Sequence, residues 1–205
     1  MNGREFMLLR TYEKITELFA RNNGYLCFDD LRKEKITITQ MNELVDKGIL
    51  QRFSRGWYWY QGEGAEKPEN YRMIEICKVN PKAVICADSA CYYWGLLKEE
   101  PQHLSFATRR TDRSGMEVIF PVSRHYFSDY AYSLDQKVVD TIYGSFNIYD
   151  MDKSVCDCIR FREELGEKVI TEVVTEYARR QNRQVDRMLS YADQMRVGRI
   201  VRNYL

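Results

Sequence analysis

The sequence is poor in histidine, has no long apolar run and carries almost no net charge, and each shortage excludes a class of protein. Histidine occurs only as His103 and His125 in 205 residues. Paired-histidine metal motifs are therefore absent, and neither a Ser-His-Asp order nor a phosphate loop is present. No apolar stretch approaches the roughly 18 residues of a membrane span, and the first residues contain no apolar signal segment. The expectation is a cytoplasmic chain with no membrane partner. With 31 basic and 30 acidic residues the formal charge is +1, so nothing attracts the whole chain to nucleic acid and any basic surface must be local.

The hydrophobic fraction of 44% is ample for a packed core, and the length suits one large domain or two small ones. Six cysteines are present, Cys27, Cys77, Cys86, Cys91, Cys156 and Cys158. In a reducing compartment they are expected as buried free thiols. On a helix, Cys156 and Cys158 diverge by about 200° and cannot face one ion. Neither a metal nor a cofactor is expected.

Residues 37–60 organise the rest. Thr37 followed by Gln40 forms a capping-box signature. Met41, Leu44 and Val45 then recur at helical spacing, and Gly48 stops the helix. Two short aromatic and apolar runs follow, 49–53 and 57–60, joined by Ser54-Arg55-Gly56, the chemistry of a tight hairpin. Upstream, an apolar stripe of Phe6, Leu8, Leu9, Tyr12, Ile15, Leu18 and Phe19 reads as a helix closed by Asn22-Asn23-Gly24, and 28–33 as a second helix with Asp29 and Asp30 at its positive end. Three helices and a hairpin with a basic tip are the plan of a winged helix-turn-helix, in which the capped helix enters the major groove and the hairpin touches the flanking backbone.

Double-stranded DNA is thus the expected partner. Lys35, Lys47, Arg52 and Arg55 supply phosphate contacts, with Thr37 and Ser54 beside them, and Thr39, Gln40 and Asn42 read base edges. Glu34, Glu43 and Asp46 offset those cations, and the alternative is a non-catalytic protein-interaction module whose winged helix does not bind DNA.

Residues 61–70 contain two glycines, a proline and a single apolar side chain, Ala65, and mark a boundary. The expected organisation is a winged helix over 1–62, a linker over 63–70 and an α+β domain over 71–205. In the latter, a helix through Tyr71 to Cys77 is followed by a short run at 83–86, a helix capped by Asp88, and strands at 104–108, 116–122, 137–143 and 145–149. From Asp152 onward the pattern is helical, in three or four helices broken near Leu165-Gly166 and Gln181-Asn182. The fold class is α+β: an N-terminal winged helix-turn-helix, then a mixed domain with a small β-sheet and a helical C-terminal region.

Residues 177–205 hold seven arginines against Asp186 and Asp193. Arg179, Arg183 and Arg187 fall four apart and share a helical face if the Gln181-Asn182 break does not rotate them. With Arg180, Arg196 and Arg199 they form either a solvated face or a surface for an anionic partner. Gly144-Ser145 and Asp150-Met151-Asp152 contain the letters of a nucleotidyltransferase signature, but four residues between Ser145 and Asp150 leave no room for the helix that chemistry needs. The chain is not expected to be an enzyme.

The order of these pieces resembles the AbiEi-type antitoxins, winged-helix transcriptional regulators of bacterial abortive-infection systems. In the first domain the likeness rests on Gly24-Tyr25-Leu26, Ile36-Thr37, Lys47-Gly48-Ile49-Leu50 and above all Arg52-Phe53-Ser54-Arg55-Gly56-Trp57-Tyr58, similar to the family's wing. In the second it rests on residues 88–96, similar to a serine-alanine helix ending in glycine-leucine, and on Ile148-Tyr149-Asp150 followed by residues 152–157. There Asp152, Lys153 and Ser154 replace the family's Glu, Arg and Thr. The resemblance implies repression of the chain's own promoter by the first domain, and a cognate AbiEii-type nucleotidyltransferase toxin opposed by the second.

Overall fold

The computed structural model describes residues 3–204, with side chains from residue 9 onward; Phe6 and Leu8 of the apolar stripe lie outside the described side chains. The chain divides into two compact units. One contains residues up to Glu75 together with Met116–Ile119 and Thr141–Gly144, the other Ile76–Gly115, Phe120–Asp140 and the chain from Ser145.

In the first unit α1 (Gly3–Arg21) buries Ile15 and Phe19. It closes on Gly24, whose φ is +83° and whose N–H bonds the Phe19 carbonyl at 2.8 Å. A Cβ there would stand 2.4 Å from the Trp59 ring, so only glycine fits. A three-residue strand, β1 (Tyr25–Cys27), leads into α2 (Phe28–Lys33), α3 (Ile38–Asp46), β2 (Leu50–Ser54) and β3 (Trp57–Tyr60). These strands form an antiparallel sheet in the order β1-β3-β2, with Leu26 opposite Tyr58 and Arg52 opposite Tyr58 on its other side. Under it Ile15, Phe19, Leu26, Leu31, Ile36, Met41, Leu44, Leu50 and Tyr58 pack into one core.

The division between units falls inside α4 (Tyr71–Val79). The second unit continues with β4 (Val84–Ile85), α5 (Ala87–Tyr93), β5 (Leu104–Arg109), β6 (Val122–Phe127), α6 (Asp129–Ser133), β7 (Gln136–Thr141) and β8 (Gly144–Tyr149). Its sheet runs β6-β5-β4-β8-β7 and is mixed: β4 is antiparallel to β5 and parallel to β8, and β5 is parallel to β6. Five helices follow, α7 (Met151–Arg160), α8 (Arg162–Leu165), α9 (Glu167–Arg179), α10 (Val185–Gln194) and α11 (Gly198–Arg202). α7 is buried from Asp152 to Ile159, packed against α5, α9, α10 and α11. The fold class is α+β with two small sheets, and among the described residues no helix is long and apolar enough to cross a membrane.

Several sequence expectations change. Residues 116–121 are not a strand; β6 begins at Val122, because Pro121 has no N–H for a sheet ladder. Val118 makes only an isolated bridge to Ser54. Asp88 does not cap α5, since Cys86 holds the cap position and Asp88 is the second helical residue. Among the described residues the C-terminal region has five helices rather than three or four. The cysteines are free thiols, five of them buried, with the sulfurs of Cys91 and Cys158 3.4 Å apart.

Candidate nucleic-acid interface

α3 is held at its start by the capping box. The Gln40 N–H donates to the Thr37 hydroxyl at 3.3 Å, and the Thr37 N–H donates to the Gln40 side-chain oxygen at 2.8 Å. The Thr37 hydroxyl and the Gln40 side-chain oxygen both serve the helix start, so these two residues position α3. Met41 and Leu44 anchor the inner face, while Thr39, Asn42 and Asp46 are exposed.

Arg52 on β2 ties the hairpin to α3. Its guanidinium donates to the Asn42 side-chain oxygen and lies 5.6 Å from the Tyr58 ring centroid. Arg55 sits exposed at the hairpin tip beside Gly56, whose φ is +76°. Ser54, expected at the surface, is buried, paired with Trp57 just past a register shift in the hairpin. That shift turns the Ser54 side chain inward.

Neighbouring cations are already paired. Lys47 meets Glu43 at 2.6 Å, Lys33 meets Asp30 at 2.7 Å and Lys14 meets Glu34 at 2.9 Å. Hydrogen bonds from the Cys27 thiol and Lys33 hold the Asp30 carboxyl below its ordinary value. Among the described residues Lys35 and Arg55 form no ion pair. Between α3 and the hairpin lies a cleft of about 540 Å³, floored by Phe28, Ile38 and Tyr58 and edged by Asn42, Arg52 and Arg55. Glu117 also lines it, from a position that no local sequence pattern connects to the hairpin. Among the described residues no cluster of His, Cys, Asp or Glu could hold a metal ion.

No protein-family model and no curated protein matches the chain. Its structure is similar to the crystal structure of RV2827C protein from Mycobacterium tuberculosis, at a TM-score of 0.53 and 12% identity over 94% of this chain and 80% of that one. The likeness is one of fold.

The C-terminal arginines do not form one face. α9 ends at Arg179, Arg180 is extended and α10 begins at Val185, so the break rotates Arg187 away from Arg179 and Arg183. Arg187 is half-buried, 2.7 Å from both Asp150 and Asp152. Tyr177 donates to Asp152 at 2.8 Å, and Tyr191 donates to Asp135 beside them. The aspartates that lent the sequence its transferase letters thus hold an arginine. Arg179 pairs with Glu176 at 2.6 Å, and Arg180 donates to the Gly95 carbonyl. Arg183, Arg196 and Arg199 remain exposed.

Proposed function

We propose that the chain is a non-catalytic regulator whose first unit is a winged helix-turn-helix that binds the chain's own promoter, α3 entering the major groove and the β2–β3 hairpin following the adjacent backbone. The supporting observation is the coupling of a capped, rigidly started α3 to the hairpin through Arg52 and Asn42, with unpaired cations at Lys35 and Arg55. Exposed cations of this kind meet phosphates, and exposed short polar groups such as Thr39 meet base edges. From the likeness of residues 88–96 and 148–157 to the AbiEi-type antitoxins, we further propose that the second unit opposes a cognate nucleotidyltransferase toxin.

The test is fluorescence anisotropy on the chain's own upstream DNA across a salt series. Specific binding is expected, with a slope of log affinity on log salt that falls by about one in Arg55→Ala. Binding no stronger than to a scrambled duplex overturns the reading. The second reading, a protein-binding winged helix, is favoured by the acids that interrupt this face, Glu43, Asp46 and Glu117. The same scrambled-duplex result selects it.

A further inference from the structure

A separate cavity of about 460 Å³ lies wholly within the second unit, in the size range of small-ligand sites. Its inner wall carries Asp88 and His125, both more than nine-tenths buried. Asp88 accepts the Ser89 N–H at 2.9 Å and a side-chain hydrogen bond from Ser105, and burial raises its carboxyl above the ordinary value; among the described residues it has no ion-pair partner. The His125 ring stacks on Phe161 at 4.0 Å between centroids, and its Nε2 has no hydrogen-bond partner among the described residues. Burial holds the imidazole below its ordinary value, and so favours the neutral ring with one nitrogen free to accept.

The mouth is acidic. Glu99, Glu100, Glu164 and Glu172 line it against a single Lys168. Leu97, Leu165 and Val169 add an apolar stretch. A buried carboxyl without a counter-charge and an imidazole nitrogen without a hydrogen-bond partner each gain from a positively charged N–H donor, which would also favour the ionised form of Asp88. The carboxylates do not converge as a metal site would require.

We propose that this cavity binds a small organic cation, an alkylammonium or alkylguanidinium, whose charged head lies between Asp88 and His125 and whose alkyl chain runs along Leu97, Leu165 and Val169. The acidic mouth concentrates such cations, and the apolar stretch separates them from hydrated inorganic ions.

Calorimetry on the full chain with agmatine and putrescine, against neutral butane-1,4-diol and inorganic phosphate, tests this. The two histidines of the chain both line the cavity, so the imidazole ¹H–¹⁵N spectrum reads it directly. Saturable binding of at least one cation is expected at about 1 mM or tighter, with both imidazole signals shifting and no binding of diol or phosphate. Asp88→Asn is expected to abolish binding. Glu164→Gln, on the exposed rim and harmless to the fold, is expected to weaken it by about threefold. The proposal is overturned if neither cation saturates, if the diol or phosphate binds as well, or if Glu164→Gln leaves binding unchanged.

Discussion

α3 and α7 carry charge in opposite ways. On α3 the Glu43–Lys47 pair stands in solvent, with 40% and 57% of the two side chains exposed, where screening and side-chain entropy leave an ion pair with little net effect. On α7 Lys153 and Asp157, at the same i,i+4 spacing, are both fully buried, the ammonium 2.7 and 2.8 Å from the two carboxylate oxygens and 4.2 Å from the Tyr149 ring centroid. A chain of almost zero net charge therefore holds two kinds of charge: one available to a partner, the other enclosed and compensated inside the fold. The comparison breaks most sharply on truncation. Lys153→Ala strands the Asp157 carboxylate in the core and is expected to cost about 3–5 kcal/mol in urea unfolding, while Lys153→Met combined with Asp157→Leu recovers most of that loss. Lys47→Ala is expected to change stability by less than about 0.5 kcal/mol.

A smaller effect of the same kind is visible as a pH dependence. Burial raises the Asp112 carboxyl, but hydrogen bonds from Ser114 and Asn80, with Arg124 3.4 Å away, outweigh it and bring it down to about 2. A carboxyl lowered by folding contributes stability above its unfolded value, and the contribution is lost as pH falls through the folded one. Acid unfolding should therefore steepen between about pH 4 and pH 2. Asp112→Asn is expected to remove about 2 kcal/mol at neutral pH and to flatten that limb; an unchanged acid limb would show that Asp112 has no part in it.

What the sequence disclosed follows the same division. The α3 cap was legible because Thr37 and Gln40 are three residues apart, and the hairpin because its turn residues lie between two aromatic runs: local physics with local signals. Ser54 turned inward because of a register shift that depends on pairing with Trp57, which no turn residue announces. Arg187 read as a surface cation because its three aspartates lie 35 to 52 residues away in sequence. Asp88 and His125 share a cavity only through the pairing of strands, so each stood alone in the sequence. Lys153, which stands where the AbiEi-type pattern has arginine, meets both oxygens of Asp157 with a single ammonium, which an i,i+4 spacing permits and a buried helix makes necessary.

The smallest effect separates the two readings of the first unit. Asp46 is the last residue of α3, exposed, and among the described residues it forms no ion pair. An acid at a helix C-terminus opposes the helix dipole, so Asp46 contributes nothing to the stability of α3, and Asp46→Asn should leave unfolding within about 0.5 kcal/mol of the unmodified chain. If α3 lies against phosphates, the carboxylate is repelled by them, and its removal should tighten binding to upstream DNA by about threefold at low salt, the gain fading as salt screens it. If α3 instead meets a basic partner protein, the same substitution leaves DNA binding at the level of a scrambled duplex and loosens the protein complex. Anisotropy at two salt concentrations is enough to tell these apart, because the two readings assign the effect of one exposed carboxylate opposite signs.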